Sequence, residues 1–184
     1  MAEPADGGQV RLLVTCTANR VRSPLAAGLL RRRVAEAGLP VLVGSAGQME
    51  SGRSAVEEMA SIAARMGVDL EGHRSTQLSA ELVDSCDLIV TMSGQHVIDM
   101  VGLSPASGSR TITLKEWARA VEQGHPIRDW TRDGVRRWAA ERTQRPLDVL
   151  LSGELDIEDP IGRSRRHYRR AAQEIQDLIA ICLR

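Results

Sequence analysis

Phenylalanine is absent from this 184-residue chain, and one tyrosine and three tryptophans are its only aromatic residues. Recognition by ring stacking therefore has few side chains to draw on. Cysteine is scarce as well: Cys16, Cys86 and Cys182 are widely spaced and odd in number. That pattern disfavours a disulfide scaffold and fits a reducing, cytoplasmic setting. Nor is there an excess of charge, because 24 basic residues balance 24 acidic ones. A chain without a net field offers no electrostatic argument for nucleic acid or membrane partners. No apolar run approaches the roughly 20 residues that a membrane helix needs. The first nine residues, MAEPADGGQ, have no apolar core, so a disordered tail over 1–9 is expected rather than a signal peptide.

What remains, with 42% hydrophobic and 26% charged residues, suits one soluble domain over 10–184 with a core of its own. Val10 to Thr15 is almost continuously apolar, as a strand buried on both faces must be. Ser23 and Pro24 then read as a helix cap followed by proline at the first helical position. Leu25, Leu29, Leu30 and Val34 recur at helical spacing up to Gly38. Val41 to Val43 predicts a second strand, and Ser54 with Glu57 a capping box. DLIVTM, from Asp87, and RTITL, from Arg110, predict two more strands, each preceded by helical sequence. Tyr168, Ala172, Ile175, Ile179 and Cys182 mark one face of a last helix. Strands that alternate with helices predict an α/β fold with a parallel sheet and helices on both faces. The stretch 117–153, interrupted by Gly124, Pro126, Gly134 and Pro146, reads as an extended lid or insertion with some helix.

The chemistry concentrates after the first strand. In CTANRVRSP, Cys16 stands at the strand end and Arg22 six residues later, where the first helix starts. Ligands of open parallel sheets bind beyond the carboxyl ends of the strands. A helix N-terminus adds free N–H groups and a positive dipole end, both of which favour an anion. A ring of amides from Thr17, Ala18, Asn19, Arg20 and Val21, completed by the planar fork of Arg22, matches a phosphate or sulfate. The same positive surroundings favour a thiolate, which is the nucleophilic form of Cys16.

CTANRVRS resembles the C-x5-R-S signature of the low-molecular-weight protein tyrosine phosphatases. VGSAG, GHRSTQLS, DLIVTM and EDPIG resemble further segments of that family. The resemblance implies a flavodoxin-like, four-stranded parallel sheet and a phosphomonoesterase with a phosphocysteine intermediate. Its substrate would be a phosphotyrosine protein or a small phosphomonoester. Carried over residue by residue, Cys16 would attack phosphorus and Arg22 would hold the equatorial oxygens. Ser23 would hydrogen-bond the thiolate, while Asn19 would shape the loop together with Ser45 and His73. Asp159 would act first as acid and then as base, and no metal or organic cofactor is implied. Oligomeric state is not readable.

Four positions depart from the family pattern. Ala18 replaces a glycine, which requires φ below zero there. Val21 replaces a second cysteine that protects the nucleophile in many members. Aromatic substrate walls are missing, leaving Arg20, Met49 and Ile161 as wall candidates. The segment DPIG is closer to a bacterial branch that includes protein arginine phosphatases, but the charge of Arg20 would repel a guanidinium substrate. Three alternatives stay open: a phosphatase for phosphoarginine or a small phosphometabolite, an arsenate reductase-like enzyme, and a weak phosphate-binding module. The second would need further cysteines, and Thr91-Met92-Ser93 has none.

Overall fold

The computed structural model describes residues 8–184. The first seven positions of the expected tail lie outside the described residues. Four strands form one parallel sheet in the order β2-β1-β3-β4: β1 (Val10–Cys16), β2 (Val41–Gly47), β3 (Leu88–Thr91) and β4 (Thr111–Thr113). Among the described residues, eight α-helices connect and cover them: α1 (Arg22–Glu36), α2 (Glu57–Arg65), α3 (Ala80–Asp84), α4 (Gly94–Leu103), α5 (Leu114–Glu122), α6 (Arg132–Ala140), α7 (Leu147–Leu151) and α8 (Arg165–Cys182). The two-residue period of a strand sorts the central apolar side chains onto two faces. Leu12, Val14, Leu88 and Val90 join the larger core under α1, α5 and α8. Leu13 and Ile89 join the smaller one with Val83 and Met100, beneath α3 and α4.

Three local readings give way to tertiary partners. Ser23 lies inside the first turn of α1 rather than capping it, and the N-cap is Val21. The Ser23 hydroxyl is instead engaged by Cys16 and Asn19. Ser54 forms no capping box with Glu57, since α2 starts after Val56 without a side-chain cap. Ser54 pairs with Arg74 in an isolated bridge, and its carbonyl accepts from Arg20 Nε. The stretch 117–153 carries the expected helix, but α5 and α6 pack into the larger core rather than standing off it as a lid. Trp117 is fully buried, with the Trp130 and Trp138 rings 6.5 and 6.3 Å away. The tryptophans are thus packing anchors, and within that stretch only α7 has no buried side chain.

Strand order reverses at β1: the chain runs to β2 on one side and then crosses to β3 on the other. The crevice beyond the ends of β1 and β3 is the switch point where ligands of such sheets bind.

Candidate active site

The loop Thr17 to Val21 runs from the end of β1 into α1. Among the described residues, none of the amides from Ala18 to Val21 donates to another protein group. The outward carbonyl of Thr17 is occupied, accepting from the amides of Gln48 at 2.7 Å and Met49 at 3.2 Å. Gly47 permits that approach: a Cβ there would stand 2.6 Å from the Asn19 amide nitrogen and 2.8 Å from the Cys16 carbonyl oxygen.

Asn19 is the one described non-glycine residue with positive φ, at 52°. Asparagine tolerates this left-handed conformation better than most residues. Four bonds over-determine it. The Nδ2 group donates to Ser23 Oγ and Ser45 Oγ, each at 2.9 Å, and the Thr76 amide donates to Oδ1 at 2.9 Å. The Asn19 carbonyl accepts from His73 Nε2 at 2.7 Å, which fixes the proton of that ring on Nε2. Ala18 keeps φ out of the positive region, as its side chain requires.

Cys16 Sγ lies 3.0 Å from Ser23 Oγ. The Ser23 oxygen already accepts from Asn19, and the competing acceptor for its proton, the Ala46 carbonyl, is 3.5 Å away. Once Cys16 is a thiolate and can only accept, the hydroxyl donates to sulfur, an arrangement that stabilises that form. Arg22 is buried; one terminal nitrogen donates to the Ile157 carbonyl at 3.0 Å. The other donates to Thr17 Oγ1 at 3.3 Å and to Asp159 Oδ2. Its Nε is buried without a partner among the described residues. A guanidinium in this state has a free donor beside free loop amides, which is a site for an oxyanion.

Asp159 is 37% exposed, and its Oδ1 accepts from the Ile161 amide at 3.2 Å. Of the other late acids, Asp156 is committed to the Gly94 amide, Asp129 to Thr131, and Glu158 to Arg163. Met49 and Ile161 are exposed at the rim. Cys86 and Cys182 are free and buried, and burial pushes both thiols up.

One residue of this cluster escaped the sequence reading. His96, in the first turn of α4, is buried, with Nε2 3.0 Å from Thr17 Oγ1 and Nδ1 2.8 Å from Ser93 Oγ. Burial and the nearby Arg22 charge push its pKa down to about 4. The available signal was its place just past the end of β3, the strand beside β1.

A sequence model described as low molecular weight phosphotyrosine protein phosphatase matches residues 11–134. The chain belongs to this family. It is therefore a cysteine-based phosphatase, acting on phosphorylated substrates. The low molecular weight protein-tyrosine-phosphatase Etp of Escherichia coli K12 is 35% identical over 119 residues, covering 64% of this chain and 77% of Etp. The YwlE arginine phosphatase from Geobacillus stearothermophilus superposes with a TM-score of 0.68 at 28% identity, over 94% of this chain and 89% of that one. Wzb of Vibrio vulnificus, solved with benzylphosphonate, gives 0.68 at 22% identity, over 94% and 96%. The family match covers Cys16 to His96 but ends before Asp159.

No helix among the described residues is long and apolar enough to cross a membrane.

Proposed function

We propose that residues 10–184 form one catalytic unit that hydrolyses phosphotyrosine in proteins through a phosphocysteine intermediate. The carrying observation is the convergence of Cys16 Sγ, the Ser23 hydroxyl, free loop amides and a buried Arg22 touched by Asp159. The Cys16 thiolate attacks phosphorus while the bond to the leaving oxygen breaks, and Asp159 gives that oxygen a proton. Arg22 and the amides hold the equatorial oxygens as charge shifts among them. In the second step the Asp159 carboxylate takes a proton from water, the water oxygen bonds phosphorus, and the sulfur–phosphorus bond breaks. Ser23 stabilises the departing thiolate. This sequence of steps calls on no metal or organic cofactor.

Substrate choice rests on the rim. Met49 and Ile161 offer apolar surface to an aryl group, since their backbone amides bond the loop carbonyl of Thr17 and the carboxylate of Asp159. Arg20, pinned by its Nε to the Ser54 carbonyl at 2.8 Å, adds positive charge. That charge favours an acidic sequence around the phosphotyrosine and opposes a phosphoarginine side chain. Three free thiols suit action in the cytoplasm.

Hydrolysis of a series of aryl phosphates tests the assignment. Cys16→Ser should fall to the background rate, and a Cys16→Ser enzyme as fast as wild type would overturn the mechanism. Asp159→Asn should lose more activity as the leaving phenol becomes more basic; an equal loss for every leaving group would remove Asp159 as the acid.

A further inference from the structure

We propose that His96 is a positioning residue of this site, holding the Thr17 hydroxyl so that the Arg22 guanidinium is set for an anion. This inference rests on the reading of the Cys16 loop as a phosphate site. Its evidence is the pattern of donors and acceptors around one buried ring. Ser93 caps α4, and its Oγ accepts from the His96 amide at 3.3 Å. The hydroxyl proton of Ser93 is then free for Nδ1, 2.8 Å away. In the tautomer we infer, Nδ1 accepts from that hydroxyl and the ring proton on Nε2 is donated to Thr17 Oγ1 at 3.0 Å. Thr17 Oγ1 therefore receives two donors, His96 Nε2 and an Arg22 terminal nitrogen at 3.3 Å. Its own proton finds no acceptor among the described residues and is left for an anion oxygen in the loop.

The ring must stay neutral for this to work, because a second cation would stand beside Arg22. Burial and Arg22 keep it neutral, against the opposing charges of Asp99 on α4 and of Asp156 and Asp159 on the segment before α8. His96 thus couples the end of β3 to the anion loop of β1, through a contact spanning 79 positions of sequence.

Asparagine at 96 preserves the reach to Ser93 but is too short for Thr17, whereas glutamine places an amide near the position of Nε2. Inorganic phosphate binding, followed by calorimetry, and aryl phosphate turnover are measured for wild type, His96→Asn, His96→Gln, Thr17→Val and the Asn/Val double variant. His96→Asn and Thr17→Val should each weaken phosphate binding by up to about tenfold, as loss of one hydrogen bond does. His96→Gln should recover most of that loss, and the double variant should be no worse than the weaker single one. The inference is overturned if folded His96→Asn binds phosphate as wild type does, or if His96→Gln is as weak as His96→Asn. Should His96→Asn fail to fold, Thr17→Val decides, and wild-type phosphate affinity in that variant overturns the coupling. A wild type that neither binds phosphate nor hydrolyses aryl phosphate removes the phosphate-site reading itself. Normal wild-type turnover with an indifferent His96 removes only this inference.

Discussion

Two buried charges mark opposite ends of the sheet. Arg22 lies past the carboxyl end of β1, and Asp87 lies just before β3 at the amino end. Asp87 has no exposed surface, yet its carboxylate is filled: the Arg11 amide reaches Oδ2 at 2.9 Å, Arg136 reaches Oδ1 at 2.8 Å, and Arg132 Nε bridges both oxygens at 3.1–3.2 Å. These bonds fasten α6 to the sheet. Arg22 keeps an idle Nε and leans on a carboxylate that is more than one-third exposed. Burying a charge is costly unless its bonding capacity is met. A saturated buried charge belongs to architecture, whereas one held with capacity to spare is what a transient anion requires.

Replacing each charge should separate these two roles. Arg22→Met should lower kcat/KM for aryl phosphates on the order of a thousandfold. Its unfolding free energy, from denaturant titration, should stay within about 1 kcal/mol of wild type, because an incompletely satisfied charge contributes little to folding. Asp87→Asn should reverse the pattern, costing about 3 kcal/mol of stability, while turnover per folded molecule is unchanged. That figure is at the low end for a broken buried pair, since Arg132 and Arg136 are nearly half exposed and regain water. A variant at either position that damages both properties equally would erase the contrast.

A smaller, pH-dependent effect comes from His96. Its ring binds a proton near 6.5 when unfolded and near 4 when folded. Between those values the unfolded chain holds more protons, so stability falls as the pH drops through this window. About 2 kcal/mol should be lost by pH 5 relative to neutral conditions, on linkage with these two values. His96→Gln should remove this part of the acid sensitivity in thermal melts at pH 7 and pH 5. An unaltered slope would place the acid-labile group elsewhere.

The strands and the loop were legible because their signals are local. Apolar runs such as Val10 to Thr15 declare buried strands, and the spacing of Cys16, Arg22 and Ser23 lies within one turn of chain. Asn19, Ser45 and His73, grouped by the family resemblance rather than by a local signal, are joined by hydrogen bonds in the fold. Local rules failed where a distant partner outbid a near one. Ser23 looked like a cap, but its hydroxyl serves a sulfur seven residues back. Ser54 looked like a cap too, but its strand-like pairing with Arg74 and the bond from Arg20 take it elsewhere. The breakers of 117–153 suggested a lid, because sequence spacing does not show that Trp117, Trp130 and Trp138 face one another. His96 was invisible for the same reason, its partner being a loop on another strand.

The proposed acid is delivered by main-chain fastening at the sheet. Ile157 donates to the Met92 carbonyl and accepts from Arg22, while Asp156 accepts from the Gly94 amide and from Lys115. None of these partners lies in 123–153. The coordinates of Asp159 are thus inherited from the rims of neighbouring strands rather than from a bond to α6 or α7. The family match ends at residue 134, while the likeness of shape extends over 94% of the chain, past Asp159.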